Sequence, residues 1–90
     1  MRRKQLSAPE VLKEAAQIIE EHGWVQGKPG RPGEGYCMVG AIQEVSGFTP
    51  CLITAVGLVR SITQEDLAYW NDQPGRTKEE VLHVLRKAAE

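Results

Sequence analysis

The sequence has few of the residues from which functional sites are most easily recognised. It contains two Trp, two Tyr, one Phe, two Cys and two His among 90 residues. Neither sign of charge predominates, because 11 Lys and Arg balance 12 Asp and Glu and the formal net charge is −1. A dedicated nucleic-acid-binding protein needs clustered Lys and Arg for phosphate contacts, so this balance argues against that class.

Long apolar runs are also missing. No stretch reaches the ~18 apolar residues of a membrane-spanning helix, and the basic start of the sequence is not followed by the apolar segment of a signal peptide. We therefore expect no membrane partner and a cytoplasmic location. Ninety residues suit one domain, and we divide the chain into a flexible basic arm at residues 1–6 and a single helical domain at residues 7–90.

The cysteine content argues against a metal centre. Cys37 and Cys51 are too few for a zinc site with four ligands, they form no CxxC pair, and no His stands at ligand spacing from either. Both lie in apolar surroundings, which favours buried free thiols over a disulfide. We expect neither a metal nor a cofactor.

Signals for helix starts are abundant. Each predicted start has a capping residue followed three positions later by an acidic residue, or has Pro at the first helical position. These pairs are Ser7 with Glu10, Thr49 with Pro50, Thr63 with Asp66, and Thr77 with Glu80. Apolar residues then recur at spacings of three and four, which is typical of amphipathic helices.

The apolar segment from Tyr36 to Ile42 is predicted to open the central helix. Gly40 inside it costs about 1 kcal/mol relative to Ala, so we expect a neighbouring helix or ring to cross there. Residues 28–35 are rich in Gly and Pro and cannot be helical. We expect an extended arm at Trp24 to pair with the returning chain at Tyr36. The predicted fold is mostly α: one small domain of four to five helices with a short Gly/Pro-rich, hairpin-like excursion between the first two.

The helix after Pro50 is unusually poor in polar residues. Its only strongly charged side chain is Arg60. Such a helix is expected either to be sandwiched within the fold or to lie against a second copy of the protein.

Several short motifs resemble a family of small uncharacterised proteins from actinobacteria and their bacteriophages. The motifs recur in the same order: "GW" at Gly23–Trp24, "C-x-x-G-A-I/L" at residues 37–42, "W-N-D" at residues 70–72, and "R-T-x-x-E-V" at residues 76–81. The resemblance implies an actinobacterial or phage origin. It transfers no catalytic residue, because that family has no known function.

One hypothesis from the residues is a small thiol-dependent enzyme. Cys37 precedes the second helix, where the helix dipole and free N–H groups stabilise a thiolate. His22 could then fold back across the loop as its base. The alternative is a buried, unreactive thiol beside an exposed histidine, and we favour that interpretation.

The leading hypothesis is a non-enzymatic protein that binds a host or phage protein or a second copy of itself. Four of the five aromatic residues flank chain breaks, where they either close the core or anchor an interface. We therefore predict a contact surface made of Trp24, Arg31, Tyr36, Trp70, Asn71, Asp72 and Arg76. A structural role for Asp72, as an acceptor of backbone N–H groups or a partner of Arg76, is the alternative. A weak DNA-associated role through the basic residues 2–4 is a further alternative.

Overall fold

The computed structural model describes residues 6–90, which form five α-helices and one short two-stranded ribbon. The elements in chain order are α1 (Ala8–His22), β1 (Gly30–Arg31), β2 (Gly35–Tyr36), α2 (Met38–Ser46), α3 (Pro50–Thr63), α4 (Leu67–Asn71) and α5 (Lys78–Ala88). This confirms the mostly α class and the hairpin between the first two helices. The predicted basic arm falls largely on residues 1–5, which lie outside the described residues.

Two of the predicted capping boxes are present and fix where α1 and α5 begin. Ser7 Oγ accepts a hydrogen bond from the Glu10 N–H at 3.3 Å, and Glu10 Oε1 accepts one from the Ser7 N–H at 2.9 Å. Thr77 and Glu80 make the same reciprocal pair at 3.2 and 2.9 Å. Each box satisfies two N–H groups that a helix start otherwise leaves without partners.

The expected capping role of Thr63 is wrong. Thr63 is the last residue of α3, and Asp66 caps α4 by accepting the Tyr69 N–H at 3.5 Å. Gln64 follows Thr63 with a φ of 62°, a left-handed conformation that ends α3. Thr49 does occupy the N-cap position of α3, but its side chain makes no capping hydrogen bond.

The core lies between α1 and the other long helices. α1 packs against α2, α3 and α5, while α2 packs against α1, α3 and α4, so the two helices share the central position expected for α2 alone. Both contribute fully buried side chains, including Leu12 and Ile19 from α1 and Met38 and Ile42 from α2. Within residues 6–90, no helix is both long enough and apolar enough to cross a membrane.

The expected pairing of Trp24 with Tyr36 is present, but it lies outside the two-stranded ribbon. The two antiparallel strands both lie within the excursion and pair Gly30 with Tyr36 and Arg31 with Gly35. Trp24 pairs with Tyr36 on the other side of β2, as a single parallel bridge. Tyr36 is thus held from both sides and directs the chain into α2.

Gly40 has the packing reason that the sequence predicted, but the neighbour is a loop and not a helix or a ring. A Cβ at Gly40 would overlap the Pro29 carbonyl and lie 2.9 Å from the Pro29 Cα. The Pro29 oxygen also accepts the Cys37 N–H at 3.1 Å. The excursion is therefore packed directly onto the first turn of α2.

Candidate functional site

Asn71, the last residue of α4, joins three distant parts of the chain. Its Oδ1 accepts hydrogen bonds from Trp24 Nε1 at 2.7 Å and from the Met38 N–H at 3.1 Å. Its Nδ2 donates to the Val25 carbonyl at 3.2 Å and to Asp72 Oδ1 at 2.9 Å. Two acceptor and two donor positions are thus all used, as a fully buried amide requires.

The segment after Trp24 is fastened to the end of α4 by further hydrogen bonds. Gln26 Nε2 donates to the carbonyls of Asn71 and Gln73, each at 3.0 Å. The Gly27 N–H donates to Asp72 Oδ1 at 2.9 Å. We call this set the Asn71 junction; it comprises residues 24–27, Met38 and residues 71–73. The Asp72 carboxylate therefore accepts a backbone N–H group of the loop. This is the structural role that the sequence offered as the alternative to a contact with a partner.

Trp70 and Arg76 form a second, adjoining cluster. The Arg76 guanidinium carbon lies 3.7 Å from the centroid of the Trp70 ring, which is cation–π geometry. Arg76 Nε donates to the Trp70 carbonyl at 2.9 Å, Nη2 donates to Gln73 Oε1 at 3.1 Å, and Nη1 lies 3.4 Å from Glu80 Oε2. The guanidinium therefore closes the turn between α4 and α5.

Groups at the start of α5 favour the charged form of the Glu80 carboxylate. The backbone N–H of Thr77 donates to its carboxylate, which is the main reason that the pKa of Glu80 is lowered; the Thr77 hydroxyl and the Arg76 guanidinium act in the same direction. Hydrogen bonds and a nearby positive charge both favour the ionised carboxylate.

Tyr36 lies between α1 and α2 and contacts a residue of each helix. Its ring lies edge-on to the His22 ring at a centroid separation of 5.9 Å, and its hydroxyl donates to Glu44 Oε1 at 3.2 Å. Burial, followed by the nearby Glu44 carboxylate, raises the pKa of Tyr36. The phenol is thus kept neutral as a hydrogen-bond donor.

Cys37 and His22 do not form a nucleophile–base pair. Cys37 is the N-cap of α2, and its Sγ accepts the Gly40 N–H at 3.2 Å. Burial raises the pKa of Cys37, and this effect exceeds the opposing hydrogen bonds at the helix start. His22 Nδ1 instead accepts the Gly33 N–H at 3.2 Å. The thiolate that the helix dipole was expected to favour is therefore disfavoured.

Arg31 lies at the exposed tip of the excursion, where both basic residues have an acidic neighbour. Arg31 Nε lies 3.1 Å from Glu34 Oε2, and Lys28 Nζ lies 3.6 Å from Glu34 Oε1. All three side chains are largely exposed, so these pairs add little stability. The pairing nonetheless offsets part of the positive charge that the tip would present.

The predicted contact surface is therefore brought together only in part. Trp24 and Trp70 are partly exposed, Arg76 is mostly covered, and Arg31 and Asp72 are exposed. Tyr36 is 2% exposed and Asn71 is fully buried, so neither side chain can anchor a partner in this conformation. This corrects the prediction for those two residues: the core needs the Tyr36 ring, and the Asn71 amide is used up by internal hydrogen bonds.

A different surface carries the most exposed large apolar side chains. Phe48 is 88% exposed and Ile53 is 77% exposed. On α3 the buried residues are Ala55 and Val59, which leaves the opposite side of the helix in solvent. We define the α3 outer face by its exposed residues, Phe48, Pro50, Ile53, Thr54, Gly57, Arg60 and Ser61. The shortage of polar residues in α3 was the signal in the sequence that pointed to this face.

A shallow groove between α1 and α5 is lined by charged side chains, but their arrangement suggests no reaction. Its walls include Glu20, Leu82, His83 and Arg86. Arg86 forms an ion pair with Glu20 across the groove, and both side chains are about half exposed. Among residues 6–90, no three His, Cys, Asp or Glu side chains are grouped so that they could hold a metal ion.

The chain belongs to a family of unknown function (DUF6197), whose profile matches residues 3–90. No curated protein and no solved structure matches the chain. Family membership confirms the expectation that the chain belongs to an uncharacterised domain family, and the argument about function depends on the geometry above.

Proposed function

We propose that this member of the DUF6197 family acts by binding protein through the α3 outer face. The observation that carries the proposal is that Phe48 is 88% exposed and Ile53 is 77% exposed, whereas the large apolar residues of the core are buried. Two large apolar side chains that stay in water contribute no hydrophobic stabilisation to the fold of a single chain. Covering them with a partner would gain the transfer free energy of both.

The chemistry of the face supports a protein partner over a small molecule. It lies along one side of a helix and is made of exposed side chains, whereas small-molecule sites are concave and enclose most of their ligand. Arg60 is its only charged residue, which suits an apolar contact with a polar margin. No titratable pair on it suggests a reaction.

A second contact surface at Trp70 is part of the same proposal. The partly exposed Trp70 ring is held in place by the stacked Arg76 guanidinium, and Trp and Arg are common interface anchors. Asp72, two residues after Trp70 in the chain, and Arg31, at the tip of the excursion, are the exposed charged residues of the predicted contact surface. The motif resemblance supports an actinobacterial or phage origin and a cytoplasmic host or phage partner for either surface.

The test is a quantitative pull-down from cells that naturally encode the chain. The bait carries Phe48→Ser with Ile53→Ser, or Trp70→Ala, and the matched control is Tyr69→Ser, which removes an exposed aromatic ring from α4. We expect a protein that is retained by the wild type and the control but lost with the α3 variant. Loss with Trp70→Ala alone would assign the contact to the second surface. Identical capture by all four baits would overturn the proposal.

A further inference from the structure

The tip of the excursion, residues 31–34, is joined to α1 through a histidine. The Gly33 N–H donates a hydrogen bond to His22 Nδ1 at 3.2 Å. The tip is a turn closed by the Glu34 N–H, which donates to the Arg31 carbonyl at 3.0 Å. Such a turn leaves the Gly33 N–H available to an outside acceptor. Within residues 6–90, no other hydrogen bond or ion pair joins this tip to a helix.

This hydrogen bond requires a neutral imidazole ring. A neutral histidine has one ring nitrogen that donates and one that accepts, whereas both nitrogens donate in the charged form. His22 Nδ1 is the acceptor here, so the proton of the neutral ring lies on Nε2. A second proton would place an N–H on Nδ1, opposite the Gly33 N–H. Two donors would then face each other, and because His22 is exposed, protons from the solvent can reach it.

We propose that His22 and Gly33 form an acid-sensitive contact: the neutral ring holds the tip of the excursion against the end of α1, and protonation of the ring releases it. This inference is independent of the binding role proposed for the α3 outer face. It concerns Arg31, which lies at the same tip and belongs to the predicted contact surface. Acidification would therefore change how the chain presents that positive charge.

The groups around His22 identify the ring as the source of the pH response. Its neighbours on other elements are Tyr36 of β2, whose ring lies edge-on to the imidazole, and Glu44 of α2, which accepts the Tyr36 hydroxyl. The remaining charged groups are Glu21 before it on α1, Glu20 paired with Arg86 of α5, and Glu34 paired with Lys28 and Arg31 at the tip.

These neighbours belong to types that ordinarily keep one charge state where histidine titrates. A histidine ring is the side chain that normally changes charge between about pH 5 and 8. Carboxyl groups ordinarily titrate below that interval, and Lys and Arg titrate above it. Burial, followed by the Glu44 carboxylate, raises the pKa of Tyr36, so the phenol remains neutral. A change at the tip within this interval therefore points to His22.

NMR of the labelled chain tests the proposal between about pH 8 and 5. The exchange of the Gly33 amide with water, corrected for its intrinsic dependence on pH, is measured beside the titration of the His22 ring. We expect the protection of this amide to fall about two- to tenfold as the ring becomes charged, the factor that one hydrogen bond provides. The Gly27 amide, which donates to Asp72 in the Asn71 junction, should keep its protection and serves as the internal control.

Three variants separate the charge of His22 from its place in the fold. His22→Asn retains an acceptor but cannot titrate in this interval, so the protection of Gly33 should not depend on pH. His22→Lys supplies only donors and a positive charge, so the protection should be low throughout. His83→Asn removes the other histidine, which is exposed on α5, and should behave as the wild type.

The contrary results are equally definite. Constant protection of Gly33 while the His22 ring titrates overturns the proposal, because the tip would then be held without the imidazole. A pH response that persists in His22→Asn also overturns it and assigns the response to another group. A parallel loss of protection at Gly27 does the same, since the whole excursion would be loosening. None of these results bears on the α3 outer face, which the pull-down tests separately.

Discussion

The Asn71 junction and the α3 outer face show opposite uses of polar and apolar groups. At the junction a polar amide is buried and every one of its hydrogen-bonding positions is filled. On the outer face, within residues 6–90, the large apolar side chains of Phe48 and Ile53 are mostly exposed. The junction is explained by the fold, because each bond in it holds a loop or a helix end. The outer face is not, so it is the better candidate for function.

The two cysteines, each next in sequence to a residue of one region, give the largest expected difference, which is in their rates of alkylation. Cys37 is buried at the start of α2 with a raised pKa, whereas Cys51 on α3 is partly exposed and its Sγ lies 3.0 Å from the Leu6 carbonyl. We expect iodoacetamide at neutral pH to modify Cys51 on the order of 100-fold faster, because Cys37 reacts only through local opening. Peptide mass spectrometry measures both rates. Faster modification of Cys37 would revive the thiol-enzyme hypothesis.

Asn71→Ala should be the most destabilising substitution at the junction. It removes the partners of the Trp24 indole N–H, the Met38 N–H and the Val25 carbonyl, and each unsatisfied buried group costs about 1–3 kcal/mol. We expect the free energy of unfolding to fall by about 3 kcal/mol or more. Urea denaturation measures the change, with the exposed Tyr69→Ala of the same helix as control, expected within about 0.5 kcal/mol. Equal effects for the two variants would mean that the junction contributes no special stability.

Replacing each of the two glycines inside helices by alanine should change the stability of the protein in opposite directions. Gly40→Ala places a methyl group against the Pro29 backbone and should destabilise the protein by about 1–3 kcal/mol, because neither the loop nor the helix can easily give way. Gly57→Ala should stabilise the monomer by up to about 1 kcal/mol. Thermal unfolding of dilute samples compares them. A stabilising Gly40→Ala would show that the excursion is not packed on α2 as described.

The two sides of α3 should respond differently to loss of apolar groups. Val59→Ala on the buried side is expected to cost about 2 kcal/mol. Phe48→Ser with Ile53→Ser on the outer face should change the stability of the monomer by no more than about 0.5 kcal/mol per site. Urea denaturation at low protein concentration separates the two. A large cost for the outer-face variant would mean that the face is covered within the monomer.

The smallest expected effect concerns pH. The pKa of Glu80 is lowered in the folded state, so its contribution to stability is present above the unfolded pKa, near 4.5, and is lost as the pH falls through the folded value. Glu80→Gln should flatten the dependence of Tm on pH between about 5 and 3 relative to the wild type. The exposed Glu79→Gln provides the comparison. If the two variants gave superimposable profiles of Tm against pH, Glu80 would make no special contribution to the loss of stability in acid.

Some features of these regions were readable from the sequence and some were not. The caps at Ser7 and Thr77 were predicted correctly because donor and acceptor lie three residues apart and need no tertiary context. The cap of α4 was misassigned to Thr63, because Thr63 and Asp66 are both good capping residues and only the packing of α3 decided how far that helix extends. Asn71 was noticed in the sequence, but its burial could not be inferred from a turn-like "N-D" pair.

The sequence by itself determined the helical class, three of the helix starts, the break in the Gly/Pro-rich segment and the unusual apolar character of α3. These depend on neighbours within about one helical turn, where capping and periodicity act. Only the tertiary structure decided that Trp24 and Asn71 meet, although 47 positions separate them, and that Gly40 admits a loop while Gly57 faces solvent. Those outcomes depend on how the helices pack, because the cost of burying an amide or exposing a phenylalanine is set by what surrounds the side chain.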